Sequence, residues 1–163
     1  MSVDGRTLRH TVGRFVTGVT VVAMDIEGEL RAMTANSFTS VSLDPPLILV
    51  CVGKDTKIGH GIRDVAGFSI NILGERQQDL SSYFAGIWKG DPPEFHFVPW
   101  EGGPRLEGST AALGCAVHAV QDGGDHWIVL GRVLAAHRAD EQTLPLVFFA
   151  GRYLSLEGAL PPG

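Results

Sequence analysis

The sequence predicts a mainly β domain of about six or seven strands, mostly antiparallel, with a few short helices, wrapping into a barrel. Three observations carry that expectation. The stretch Met33-Thr34-Ala35-Asn36-Ser37-Phe38-Thr39-Ser40-Val41-Ser42-Leu43-Asp44-Pro45-Pro46 alternates small polar and apolar residues, as an extended segment does with one face on a core. The run Leu47-Ile48-Leu49-Val50-Cys51-Val52 is apolar at every position, which suits a central strand covered on both faces. Near the C-terminal end, the runs Leu113 to Val120 and Trp127 to Ala136 are joined only by Gln121-Asp122-Gly123-Gly124-Asp125-His126, the pattern of an antiparallel pair.

The elements follow in order. Asp4 is placed to cap a first helix, whose stripe Leu8, Val12, Phe15 and Val16 recurs at helical spacing and whose stop is Gly18. The β-branched run Val19 to Met24 is the first strand. Glu27-Gly28-Glu29 turns it, and Leu30 to Asn36 returns as its hairpin partner, continuing as one extended piece through Ser42. Pro45-Pro46 ends that pairing, because neither residue has an N–H to donate. After the apolar run, Gly53-Lys54-Asp55-Thr56-Lys57 is a break before a short helix from Thr56 to Arg63. Phe68 to Leu73 alternates as another strand, and Glu75 to Phe84 reads as a helix with Leu80, Tyr83 and Phe84 on its apolar face. Ala85 to Arg105, rich in Gly, Pro and aromatic residues, reads as a packed excursion rather than a linker. Leu146 to Phe149 is the last strand, before Gly151-Arg152-Tyr153 and a short tail. With no repeat and no low-complexity block, residues 1–163 read as a single domain.

Composition excludes several classes. The chain has 163 residues, 44% of them hydrophobic and 19% charged, the balance of an ordered globular protein. A net charge of -5 without a basic patch argues against nucleic-acid binding, which relies on clustered Lys and Arg. No apolar run reaches the length of a membrane span and no signal-peptide core follows Met1, so the expected location is cytoplasmic. Cys51 and Cys115, far apart among apolar neighbours, read as buried free thiols. The histidines, at 10, 60, 96, 118, 126 and 137, lack zinc spacing, so no metal site is expected. Dinucleotide-fingerprint, P-loop and nucleophile-elbow motifs are all missing.

Three stretches remain as candidates for chemistry. Between Met33 and Asp44 there is no Lys, Arg or Glu, and small side chains there would let a planar ligand approach the main chain while supplying short donors and acceptors. Depending on register, the ligand face carries Thr34, Asn36 and Ser42, or Ser37 and Thr39. Gly53-Lys54-Asp55-Thr56-Lys57 offers two ammonium groups and a hydroxyl, a combination suited to a monophosphate, or alternatively a solvated loop with Thr56 as helix cap. Gly123-Gly124-Asp125-His126 sets an imidazole at the start of a strand; on extended backbone Asp125 and His126 would point to opposite faces.

Taken together, these residues resemble the flavin reductase family, the small reductase components of two-component monooxygenases. The resemblance runs from Gly13-Arg14-Phe15-Val16-Thr17-Gly18-Val19-Thr20-Val21-Val22 through the Met33-to-Leu47 motif. It continues at Phe84-Ala85-Gly86, Gly124-Asp125-His126 and Gly131-Arg132-Val133, and closes at Gly151-Arg152-Tyr153. It implies an FMN-binding split β-barrel, a homodimer with flavin near the subunit interface, and NADH or NADPH as the reductant. The flavin is FMN, with FAD as the competing form, and once reduced it leaves for a separate oxygenase. By matching positions, the resemblance sets Thr34, Ala35, Asn36 and Ser37 along the isoalloxazine edge with Ser42 close by. Cys51 and Val52 would follow the ring and ribityl chain, and Thr56 and Lys57 would hold the phosphate. Phe84, Ala85 and Gly86 would border the site, Tyr153 would close it, and His126 would meet the nicotinamide.

The chain departs from the pattern at Gly114, where relatives often carry a glutamate, and at Trp127, bulkier than the usual residue after the histidine and a candidate to alter nicotinamide access. The match over Ile87 to Arg105 is loose. Two other readings use the same architecture: a flavin carrier or sensor that does not turn over, and a split-barrel oxidase of an organic substrate. Against the oxidase, the chain lacks an Arg cluster for a second phosphate.

Overall fold

The computed structural model describes residues 2–139 and 143–156. Met1, residues 140–142 and the expected tail from 157 onward lie outside them. In chain order the elements are α1 (Gly5–Val12), β1 (Thr17–Gly18), β2 (Thr20–Ile26), β3 (Glu29–Ala35), β4 (Phe38–Leu43), β5 (Pro46–Gly53), α2 (Lys57–Gly61) and β6 (Gly67–Ile72). After a 3-10 turn (Glu75–Gln77) come α3 (Gln78–Phe84), β7 (Phe97–Val98), β8 (Arg105–Leu106), β9 (Ala111–Gly123), β10 (His126–Arg138), β11 (Val147–Phe149) and β12 (Arg152–Leu154).

Seven strands form one sheet in the order β3-β2-β6-β9-β10-β5-β4. Its neighbours pair antiparallel throughout. The expected mainly β barrel is therefore present, and it is split: β3 and β4 are the two sheet edges and do not pair with each other. A small sheet, β1-β11-β12, and the ribbon β7-β8 complete the strands of the described residues. The β2–β3 hairpin turns at Glu27 and Gly28 (φ 55° and 81°), two consecutive left-handed residues that match the twist of the strands they join.

Two apolar clusters divide the interior. Val22, Met24, Ile48, Val50, Val52, Phe68, Ile70, Cys115 and Val129 fill the barrel, and Ile58 and Ile62 from around α2 close one end. Val21, Leu73, Leu80, Leu106 and Leu146 pack on the other side of β2, under α3 and β8. So β2 is covered on both faces, with Thr20 to Met24 all buried, as is the middle of β6 from Phe68 to Asn71. That corrects the expectation for Leu47 to Val52. On β5, Ile48, Val50 and Val52 face the core while Leu47, Leu49 and Cys51 stay half-buried on the outer face.

Other expectations shift. Asp4 caps α1, accepting from the Arg6 and Thr7 N–H groups at 3.0 Å each. But α1 ends at Val12 with Gly13 as its cap, so Phe15 and Val16 lie beyond the helix, and Leu8, Val12, Phe15 and Val16 are all exposed rather than packed. The stretch read as one strand from Leu30 to Ser42 is two strands broken at Asn36-Ser37. Pro45-Pro46 does not stop the pairing; Asp44-Pro45 turns a hairpin, and Pro46 is already the register partner of Leu43.

The excursion from Ala85 to Arg105 is bonded to the sheet through buried polar groups. Asn71 on β6 donates to the Val21 carbonyl at 3.1 Å and to Ser69 Oγ at 2.9 Å, and accepts the Leu106 N–H at 2.8 Å. Ser69 donates to the Pro104 carbonyl. Main chain also lies on main chain here. A Cβ on Gly114 would overlap the Glu101 carbonyl oxygen, so no side chain has room at this position.

Asn71→Ala strands the buried Leu106 N–H and removes a side-chain bond to the Val21 carbonyl; at about 1–3 kcal/mol for an unsatisfied buried group, a loss of roughly 1–3 kcal/mol is expected. Urea denaturation of the two proteins measures it, and a change below about 1 kcal/mol would refute the bonding role assigned to Asn71.

Candidate functional site

The break between β3 and β4 organises the candidate residues. Asn36 and Ser37 are the only residues between Ala35, the last of β3, and Phe38, the first of β4. Ser37 is pinned to β5: its hydroxyl donates to the Cys51 carbonyl at 2.9 Å, and the Cys51 N–H reaches both the Ser37 carbonyl and its Oγ at 3.2 Å. The Ala35 carbonyl accepts Thr20 Oγ1–H at 2.7 Å. Asn36 is exposed, its amide donating to Thr17 Oγ1 at 3.2 Å.

On one side of this crossover Thr34 turns to α3, donating to the Ser81 carbonyl at 2.6 Å, and Ser81 Oγ is 2.7 Å from the Tyr153 hydroxyl. One helix residue thus ties Thr34 and Tyr153 together, with Phe84 close by in sequence at the end of α3 and Ala85 and Gly86 just beyond it. Gly86 has φ 76°, the left-handed residue that closes the helix. Ser81 carries no sequence signal; it sits beside Leu80 in an ordinary helical pattern.

On the other side, register sets which side chains share a face. Cys51 pairs with Ile128 and Gly53 with His126, so Cys51 and His126 lie on the outer face of the sheet. Ser42, half-buried after the irregularity between Ser40 and Ser42, pairs with Leu47 and joins that face. Val52 and Trp127 also pair, but toward the barrel core. The Val52 side chain therefore faces away from this surface, and only its main chain is offered there. Trp127 is likewise removed from the His126 face, so its bulk does not narrow it. Its indole N–H donates to the Gly59 carbonyl at 3.0 Å, with Lys54 Nζ 4.4 Å and the Arg63 guanidinium 5.3 Å from the ring centre.

Thr56 is the α2 cap: its Oγ1 accepts the Gly59 N–H at 2.9 Å and donates to the Gly53 carbonyl at 2.8 Å. Lys57 is exposed, with no ion-pair partner among the described residues. Lys54, in contrast, is spent on Asp122, 2.5 Å away, and the hydrogen bond it donates, with the Gly124 N–H, holds that carboxyl below the usual range.

Asp125 and His126 meet after all: Asp125 Oδ1 is 2.7 Å from His126 Nδ1. Strand alternation does not apply, because Asp125 sits in the turn after Gly124 (φ 84°) and only His126 is in β10. The contact lowers the Asp125 carboxyl pKa and orients the ring, leaving Nε2 near Gly53, 3.8 Å from where a Cβ on that glycine would stand. The Asp125 N-terminal neighbour turn is held by Lys54, whose N–H donates to the Asp125 carbonyl at 3.0 Å. No cluster of metal-ligating side chains occurs among the described residues.

The chain is similar to known proteins in sequence and in fold. Residues 12–157 match the family model described as flavin reductase like domain. The chain is 42% identical over 153 residues to an NADH-dependent flavin reductase of Rhodococcus sp., covering 92% of this chain and 85% of that one. It is 35% identical over 160 residues to the flavin-dependent monooxygenase reductase subunit HsaB of Rhodococcus jostii, covering 96% and 80%. Among solved structures, the flavin reductase PheA2 in its native state superposes with a TM-score of 0.88 at 36% identity, covering 94% of this chain and 99% of that one.

Both cysteines are free, and burial pushes both thiols up, Cys115 to about 12. A thiolate-specific disulfide reagent at pH 8 is expected to modify Cys51 slowly and Cys115 only after denaturation. Two rapidly reacting thiols in the native protein would overturn the burial of Cys115.

Proposed function

The chain belongs to the flavin reductase like family and is a flavin reductase, and we propose that it reduces FMN or FAD with NADH or NADPH on the surface formed by the Asn36-Ser37 crossover and the outer face of β5 and β10. The observation that carries the placement is the shared face of Cys51, Gly53 and His126 next to an exposed crossover of small residues. A flat ring can approach main chain there without meeting a bulky side chain.

The ligand-facing roles divide by which groups are already used. The hydroxyls of Thr34, Ser37 and Thr56 are bonded within the protein, so they shape the site rather than reach outward. Asn36 with its own peptide groups, the Ser37 N–H and Ser42 are left to meet the ring and ribityl chain, while Ala35, Cys51 and Val52 line it with main chain largely bonded within the protein. The Lys57 ammonium, with no ion-pair partner among the described residues, is left for the phosphate. Phe84, Ala85 and Gly86 border the ring and Tyr153 closes the pocket, both positioned through Ser81. His126 meets the nicotinamide, its ring fixed by Asp125. Bound flavin and nicotinamide supply the hydride chemistry themselves, and the protein's part is to hold their reacting atoms about 3–3.5 Å apart. That is why no nucleophile or triad is needed.

Release of reduced flavin to a separate oxygenase follows from the kinship with reductase subunits. A homodimer is supported by the outer sheet face. Leu49 and its register partner Leu130 lie on that face, half-buried, and belong to neither core cluster. A cytoplasmic location suits two free thiols. Among the described residues, no helix is long and apolar enough to cross a membrane.

Anaerobic mixing with excess free flavin and NADH or NADPH tests the reading. Catalytic bleaching of the whole flavin pool is expected, and reduction that stops at one equivalent per chain would make the protein a carrier. His126→Ala is expected to raise the KM for the nicotinamide about tenfold, the loss of one hydrogen bond of about 1.4 kcal/mol, with flavin affinity little changed. An unchanged KM removes His126 from the site. Light scattering is expected to give a dimer that Leu130→Glu converts to folded monomer; a monomeric parent protein would refute the interface.

A further inference from the structure

The two lysines of the Gly53-to-Lys57 loop are used differently, although they stand only three positions apart. Lys57 is exposed and has no ion-pair partner among the described residues. Lys54 is turned onto the tip of the β9–β10 hairpin and meets it at three residues. Its N–H donates to the Asp125 carbonyl at 3.0 Å. Its ammonium donates to Asp122 Oδ2 at 2.5 Å and stands 4.4 Å from the centre of the Trp127 ring. His126 lies between Asp125 and Trp127, so Lys54 holds the chain on both sides of it.

That tip needs holding. It is a two-residue turn, Gly124-Asp125, between the register partners Gly123 and His126. Two consecutive glycines bring no side chain to pack and wide backbone freedom, Gly124 standing at φ 84°. Asp122 is the fixed point: its Oδ1 accepts the Gly124 N–H at 3.0 Å while its Oδ2 takes the lysine. The same tip carries the Asp125–His126 contact at 2.7 Å. A residue that fixes both Asp122 and Asp125 therefore fixes where the imidazole stands. We propose that Lys54 is a positioning residue for the nicotinamide: it holds the hairpin tip against the loop that carries Lys57, and so sets the place of the His126 ring. This role rests on the reading in which His126 meets the nicotinamide and Lys57 the flavin phosphate. It divides the loop between the two ligands, one lysine reaching outward for the phosphate and the other inward for the turn. An exposed ion pair adds little to global stability, so the effect belongs to ring placement rather than to folding.

Lys54→Met keeps the main-chain bond and a stem of similar length beside Trp127 but removes the ammonium. Steady-state rates at saturating flavin give KM and kcat for NADH, and fluorescence titration gives flavin affinity. KM for NADH is expected to rise about fivefold, the upper end of what one exposed ion pair contributes, with kcat and flavin affinity within about twofold and the melting temperature retained. Asp122→Asn is expected to reproduce the rise, and Lys54→Arg to reverse most of it. Combined with His126→Ala, Lys54→Met is expected to add nothing to the His126→Ala effect, because both act through one ring. Effects that add in the double variant overturn the proposal. So does a flavin affinity that falls as far as the NADH affinity, which would make Lys54 a phosphate ligand. An unchanged KM overturns it whatever the melting temperature, leaving Lys54 a structural role alone. If Lys54→Met does not fold, Asp122→Asn carries the same cycle. His126→Ala alone with KM unchanged is a separate failure: it removes the histidine from the site, and with it the group through which Lys54 acts.

Discussion

The fold depends on a length constraint at Asn36-Ser37. β3 and β4 stand at opposite edges of a seven-stranded sheet, yet only two residues join them. In a flat sheet those edges would be separated by six strand spacings, roughly 29 Å at about 4.8 Å each. The chain from Ala35 to Phe38 spans at most about 11 Å. The sheet must therefore curl until its edges approach, and the barrel follows from a short connection as much as from strand twist. The bonds between Ser37 and Cys51 hold the seam where the curl ends. Because the edges approach without pairing, main chain is left open at the seam, and that is the surface where the candidate residues gather.

A second set of contacts keeps the curl from relaxing. The excursion after α3 lies against β6 and β9 so closely that Gly114 admits no side chain, and Asn71 and Ser69 bond it to β2 and β6 from inside. These polar groups are fully buried and satisfied, which makes the excursion part of the sheet's packing rather than a flap over it. The same segment supplies Trp100 to one wall of a cleft that it shares with the β2–β3 hairpin and the end of α2. A wall bonded in this way is preformed, so a ligand entering the cleft would meet a surface already in place.

Much of the fold was legible because strand periodicity and turn chemistry are local. The Asp4 cap, the Glu27-Gly28 turn, the β9–β10 pair and the Thr56 cap all rest on residues within a few positions of each other. What was not legible depends on partners distant in sequence. An all-apolar run cannot say which layers will cover it, and so β5 was expected to be buried on both faces when β2 and the middle of β6 are. Alternation cannot reveal a two-residue break that sends consecutive strands to opposite edges, since Asn36 and Ser37 fit a strand as well as a crossover. At the site, the motif residues were visible but the groups that position them were not. Ser81 lies 47 residues from Thr34 and 72 from Tyr153, and nothing in its own neighbourhood announces either bond. Asp125 was visible, but its role was misjudged by assuming strand geometry one residue too early.

The hydroxyl-rich motif also changes meaning once its bonds are traced. Small polar residues were read as donors and acceptors for a ligand, and most of them instead satisfy main chain at the seam. A serine or threonine bonded to a neighbouring strand or helix removes a buried carbonyl from the list of unsatisfied groups and keeps its own bulk small. That leaves the Asn36 peptide and side-chain amide and a lysine, Lys57, with no ion-pair partner among the described residues. For a reaction in which both reacting partners carry their own chemistry, such a surface is sufficient: it must hold two flat rings in register and admit and release one of them. Strong side-chain contacts to the flavin would oppose that release, since binding that is equally strong before and after the chemical step lowers the exit rate without speeding the step. The economy of outward-facing groups is what a reductase that surrenders its product requires.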